Sequence, residues 1–146
     1  METNKLGEHL WSVHLEHMRA LDYVVDRSYT RGESGVLLYL YHISRPLYPG
    51  ELTEKLGLTT GRIANILRAL EREGLVVRTP DIEDKRRVQV ALTPAGEAEA
   101  EAQNRKAIAF HEKLLSNLEP GEAEQFLNVL IRLARKVEEH FLREDQ

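Results

Sequence analysis

Arg62, Asn65 and Arg68 follow one another at intervals of three in the segment Thr59-Thr60-Gly61-Arg62-Ile63-Ala64-Asn65-Ile66-Leu67-Arg68. Such side chains can read the edges of bases. A guanidinium can donate two parallel bonds to guanine, and a carboxamide can pair bidentately with adenine. Thr59 and Thr60 add hydroxyls that, with the free N–H groups of a first helical turn, can hold a phosphate. Glycine at position 61 costs a helix about 1 kcal/mol relative to alanine. Pointing outward, it leaves no side chain to hold a large ligand away. A second set lies at Asp84-Lys85-Arg86-Arg87. Arginine at a hairpin tip suits a narrow, electronegative minor groove. Asp84, two residues before Arg86, can orient its guanidinium without neutralising the tip.

Other chemistries lack their residues. There is no glycine-rich phosphate loop, no nucleophile with a paired base and no catalytic carboxylate pair in a pocket context. His111-Glu112 is too common a pair to count. The chain is therefore expected not to be an enzyme and to carry no cofactor. It has no cysteine, which removes disulfides, thiolate zinc ligands and thiol redox sensing together. His14 and His17 are close enough on one helix to share a metal, so a metal-responsive role is an alternative. With no thiolate and no HExxH-like arrangement, no metal site is expected.

The elements that must position these residues are legible from periodicity. Asn4 to Arg27 reads as a helix, with Leu6, Leu10, Val13, His17, Leu21 and Val24 on one stripe. Glu33 to Ile43 is a short apolar helix, stopped by Arg45-Pro46-Leu47-Tyr48-Pro49-Gly50. Glu51 to Leu56 is a short helix closed by Gly57, and Thr59 to Glu73 another closed by Gly74. On the latter, Ile63, Ile66, Leu67 and Leu70 face inward and Gly61, Asn65, Arg68 and Arg72 outward. Leu75 to Thr79, ending at Pro80, and the alternating Arg87 to Leu92 make a β-hairpin around a charged turn. Thr93 caps and Pro94 opens a helix running to about Leu118. Pro120 opens a last helix with a stripe from Phe126 to Phe141.

The fold class is thus mainly α with a small β component (α+β): a winged helix-turn-helix at 33–93, flanked by helices at 4–28 and 94–143, within one domain of 1–146. The apolar stripes of the flanking helices exceed what the small central unit can cover. They predict a homodimer built by both ends of the chain. Net charge is −4 over 146 residues, which by itself argues against nucleic acid. Its distribution reverses the point: residues 45–92 carry nine basic and seven acidic side chains, +2, and the remainder is −6. An acidic framework keeps DNA off all but the intended face. No stretch approaches the roughly 20 apolar residues that span a bilayer. The start lacks an apolar signal region. A cytoplasmic protein without a membrane partner is expected.

Four segments carry a family resemblance: Glu51-Leu52-Thr53-Glu54-Lys55-Leu56-Gly57-Leu58, Leu70-Glu71-Arg72-Glu73-Gly74-Leu75-Val76, Asp81-Ile82-Glu83-Asp84-Lys85-Arg86-Arg87 and Val90-Ala91-Leu92-Thr93-Pro94-Ala95-Gly96. Together they resemble the MarR family of bacterial regulators, most specifically in the Asp-x-Arg wing and the strand ending in Leu-Thr-x-x-Gly. The resemblance implies terminal helices that dimerise, Arg86 in a minor groove with Asp84 paired to it, and the helix from Thr59 to Arg72 in the major groove. Two such units would read a pseudo-palindrome with half-sites about one helical turn apart. It also implies release of DNA, and so relief of repression, by a small effector. Trp11, His14, Met18, Tyr39 and His42 are candidates to line an effector pocket. The alternative is a winged helix for protein contact without DNA, which the polar face of Thr60, Arg62, Asn65 and Arg68 argues against.

Overall fold

A computed structural model describes residues 3–24 and 31–142 of the chain. The described residues form α1 (Thr3–Val24), α2 (Gly32–Ile43), α3 (Pro49–Leu56), α4 (Thr60–Arg72), β1 (Val76–Pro80), β2 (Val88–Leu92), α5 (Pro94–Leu115) and α6 (Glu122–His140). This is the expected mainly α order with one small antiparallel sheet. The expected end of the first helix at Arg27, and the flanking boundaries at 28 and 143, lie outside the described residues.

The chain divides into two compact units, Met1–Ala107 and Ile108–Gln146. The core of the first joins Val36, Leu37 and Leu40 of α2 to Leu52 of α3 and Ile63, Ile66, Leu67 and Leu70 of α4. Val76 and Val90 of the sheet, Leu47 and Ala100 complete it. The four α4 side chains predicted to face inward are thus the buried ones. Fully burying an aliphatic side chain of this size contributes about 1.5–3 kcal/mol, so this one stripe fixes the roll of α4 and the face it exposes. In the second unit no residue of α6 is buried. Phe126, Leu127, Val129, Leu130, Leu133 and Val137 stand exposed along it.

Several boundaries differ from expectation for local reasons. α3 begins at Pro49 rather than Glu51. Proline stops a preceding helix but suits a first helical position, where its missing N–H would be unpaired anyway. Here Glu51 Oε2 accepts from the Tyr48 N–H at 2.8 Å, half of a capping box. α6 begins at Glu122 rather than Pro120, with Gly121 at the N-cap and φ of 88°. α5 ends at Leu115, and Asn117 and Leu118 close i→i+3 turns onto Leu114 and Leu115. Within α1, His17 has φ −121° and ψ 21°, which interrupts the predicted continuous stripe. Pro80 is the last residue of β1, opposite Val88 at the turn end of the hairpin, where a missing donor is tolerated.

α4 ends as its glycine predicts. Gly74 has φ of +74°; its N–H donates to the Glu71 carbonyl, and that of Leu75 to Leu70. These bonds make a Schellman motif, which turns the chain directly into β1. The strands pair from Val76↔Leu92 to Pro80↔Val88. Leu47 adds an antiparallel bridge to Val90, through N–H···O bonds of 2.9 and 2.7 Å. The helix-turn-helix is thereby tied to the wing by backbone.

Candidate nucleic-acid interface

With Ile63, Ile66, Leu67 and Leu70 buried, α4 leaves Thr60, Gly61, Arg62, Asn65, Arg68 and Arg72 exposed. Thr59 caps the helix: its Oγ1 accepts from the Arg62 N–H at 3.3 Å. That bond satisfies one of the four free N–H groups of the first turn. A Cβ added at Gly61 would meet nothing within 4 Å, so the missing side chain is not demanded by this chain's own packing. An open cleft of about 700 Å³ runs beside the helix start, lined by Thr59, Gly61, Arg62 and Asn65 together with Arg31, Gly32, Glu33 and Ser34 at the start of α2. Further along the same face, Arg68 Nη2 donates to Asn65 Oδ1 and Arg68 Nε to the Ala64 carbonyl at 3.3 Å.

The wing is built on a residue that charge counting passes over. Asp81, 8% exposed, accepts from the Glu83 and Asp84 N–H groups through Oδ1 at 2.8 and 2.9 Å. Its Oδ2 accepts from Gln89 Nε2 at 3.0 Å and from the Tyr48 hydroxyl. The Tyr48 bond, followed by the two backbone bonds, holds the Asp81 carboxyl below its ordinary 3.8. The same bond raises the Tyr48 phenol, whose proton it uses. Glu51, beside Tyr48, is lowered chiefly by Arg45 Nη2, which donates to it at 2.8 Å. A carboxylate at the head of a turn that receives N–H groups two and three residues on is an Asx-type turn, so part of this role was readable locally. The bond from Tyr48 was not.

The three cations of the wing have different fates. Arg86 is at the tip with its side chain 94% exposed, and its Nε lies 3.4 Å from Asp84 Oδ1. Asp84 Oδ1 also accepts from the Arg86 N–H at 3.1 Å. Asp84 Oδ1 thus contacts both the backbone and the guanidinium of Arg86. Lys85 is exposed beside it. Arg87 instead lies over the Tyr48 ring, 3.7 Å from its centroid, a cation–π contact that draws it toward the base of the wing.

The other candidates are only partly brought together. Trp11 and His14 stack with ring centroids 5.7 Å apart. With Gly7, Leu10 and Leu21 they line an open cavity of about 420 Å³. Met18, Tyr39 and His42 do not line it; Tyr39 packs against the core, while Met18 and His42 are exposed. Among the described residues no group of three or more His, Cys, Asp or Glu is placed to hold a metal ion. No helix among them is long and apolar enough to cross a membrane.

Several known proteins are similar to this chain. The sequence profile of the MarR family matches residues 27–87. An HTH-type transcriptional regulator of Bacillus cereus is 34% identical over 111 residues, 76% of this chain and 71% of that one. The HTH-type transcriptional repressor YetL of Bacillus subtilis is 28% identical over 109 residues, 74% of this chain and 65% of YetL. Among solved structures, the S. aureus MepR–DNA complex is similar with a TM-score of 0.61 and 30% identity, over 72% of this chain and 77% of that one. A profile centred on the helix-turn-helix and wing, and a regulator matched over most of both chains, agree with the geometry of α3, α4 and the hairpin: the chain belongs to the MarR family of transcriptional regulators.

Proposed function

We propose that this chain acts as a homodimeric, sequence-specific repressor on pseudo-palindromic duplex DNA, released by a small-molecule effector. The observation that carries the reading is the division of α4. One face is buried to 7% exposure or less at Ile63, Ile66, Leu67 and Leu70. The opposite face presents Thr60, Gly61, Arg62, Asn65 and Arg68 to solvent. A helix so divided can lie in a major groove and still be held by its own core. The wing adds an arginine oriented by Asp84 for the adjacent minor groove. Thr59, Thr60 and Lys85 supply phosphate contacts, which position without specifying. Arg87 supports the wing through Tyr48.

The similarity to MepR in complex with DNA supports duplex DNA as the partner, and the similarity to the repressor YetL supports the direction of control. The dimer is supported by exposed apolar faces on α1 and α6. For the effector, the reading assigns the open cavity lined by Trp11 and His14. A mobility-shift assay with the gene's own upstream region should give a discrete complex, and footprinting should show two protected half-sites about one helical turn apart. Absence of any discrete complex with upstream DNA at low salt would remove the reading. A single protected half-site would remove its dimeric part.

A further inference from the structure

Ile82 stands in the wing turn 96% exposed. Among the described residues the next most exposed large apolar side chain is Phe141, at 69%. The others lie in the segments that flank the winged unit, where the proposed dimer accounts for them, or on the hairpin strands at 42% or less. Ile82 belongs to neither set. It is the one apolar residue in Asp81-Ile82-Glu83-Asp84-Lys85-Arg86-Arg87, in a turn of a kind that favours Gly, Pro, Asn, Asp or Ser. The turn also holds it in place. The Asp81 N–H donates to the Arg87 carbonyl at 2.8 Å and closes the loop 82–86. The peptide that follows Ile82 is fixed by the Glu83 N–H, which donates to Asp81 Oδ1 at 2.8 Å.

The side chains of the closing pair both turn to Tyr48. Asp81 accepts from its hydroxyl, and Arg87 lies over its ring. Ile82 and Arg86 are the next residues inside the loop, one on each side of that pair. Their side chains stand in solvent instead, that of Arg86 94% exposed. A single exposed apolar residue is ordinary on a protein surface. Ile82 differs in its place, on an ordered turn in the same loop as the cation offered to a minor groove. The two side chains match the two surfaces of such a groove. Its floor is electronegative and attracts arginine, while its walls are the apolar C–H faces of deoxyribose. Minor-groove proteins use apolar side chains beside cations. A β-branched side chain loses little rotamer freedom on being pinned. We infer that Ile82 is a second contact residue of the wing, packing on the deoxyribose wall of the minor groove that Arg86 enters. It adds affinity that depends on neither salt nor base sequence. The inference rests on the proposal that the wing lies on duplex DNA.

Titration of a labelled upstream duplex with the full chain, as wild type, Ile82→Ala and Ile82→Leu, across a range of salt tests it. Ile82→Ala should bind about tenfold more weakly at every salt concentration, the effect of withdrawing part of a buried aliphatic side chain. Its log–log salt slope should run parallel to that of the wild type, because an apolar contact releases no counterions. Ile82→Leu keeps the carbon count and should recover most of the affinity. Because Ile82 is exposed in the free protein, all three should melt together. Unchanged affinity in Ile82→Ala, as expected if the residue is idle or meets a protein instead, would overturn the inference while leaving DNA binding intact. So would a shallower salt slope in Ile82→Ala, a lowered melting temperature, or an Ile82→Leu protein as weak as Ile82→Ala. A wild type that binds no duplex at low salt would overturn the DNA-binding reading and this inference with it.

Discussion

Two glycines show how one residue type serves different ends. A Cβ at Gly96 would lie 1.9 Å from the Leu75 carbonyl oxygen, so α5 can pack on the chain entering β1 only if that side chain is missing. Thr93 fixes the same junction: its Oγ1 donates to the Gly74 carbonyl and accepts from the Gly96 N–H. Gly96→Ala should therefore destabilise the fold by about 1–3 kcal/mol, the usual cost of overpacking, read as a lowered midpoint in urea. Gly61 has open space around its Cα. Gly61→Ala should raise stability by up to about 1 kcal/mol through helix propensity. If α4 approaches a groove closely there, the same variant should weaken DNA binding. Higher stability with unchanged affinity would show that Gly61 is merely tolerated. The Leu-Thr-x-x-Gly pattern marked Gly96 in the sequence, but its reason was hidden, since the clash is with backbone 21 positions earlier. Asp81 was hidden for the same kind of reason. Its bonds to Glu83 and Asp84 are local, whereas Tyr48 is 33 residues away.

Among the elements, the legible ones are those that repeat. α4 was readable because its four apolar positions recur with the helical period and its end carries a glycine suited to positive φ. The hairpin was readable from its period of two, although only Val90 of the alternating Val88, Val90 and Leu92 is fully buried and Val88 is exposed. The bridge from Leu47 to Val90 was not readable, because a single-residue pairing has no period. That bridge and the Tyr48–Asp81 bond tie the linker before α3 to the wing, and they predict a response to acid. The folded Asp81 and Glu51 carboxyls both lie below their ordinary values of 3.8 and 4.5. Their contribution is present above those values and is lost as pH falls through the lower folded ones. The base of the wing should therefore loosen in acid below the ordinary carboxylate range. The Glu83 and Asp84 amide resonances, which report the bonds to Asp81, should shift there. Tyr48→Phe should move that change to higher pH. Amide shifts identical in the two proteins would show that the tyrosine bond does not set the Asp81 carboxyl.

For the whole molecule, the apolar stripes of the terminal helices predict a homodimer built by both ends of the chain, and the described helices α1 and α6 expose apolar residues. α1 exposes Leu10 and Trp11 to 68% and 60%, and α6 buries nothing. Large apolar faces of this kind mark contact with other protein, and the proposed partner is a second copy. Leu130→Arg with Leu133→Arg on α6 should yield a helical monomer by light scattering. The monomer should bind a full operator about a hundredfold more weakly, because the second half-site is no longer held at high effective concentration. A dimer that survives both substitutions would place the interface elsewhere. The lone tryptophan, Trp11, offers a parallel readout. Its emission should shift to shorter wavelength on association if α1 is covered.

The claim on which the rest stands is that α4 and the Arg86 wing hold duplex DNA. The most direct measurement is fluorescence anisotropy of labelled upstream duplex titrated with wild type and with Arg86→Ala across a range of salt. Wild-type affinity should fall steeply as salt rises, with a log–log slope of about −0.9 per phosphate neutralised. Arg86→Ala should bind more weakly on every sequence with a shallower slope. Affinity indifferent to salt, or identical in the two proteins, would contradict the account.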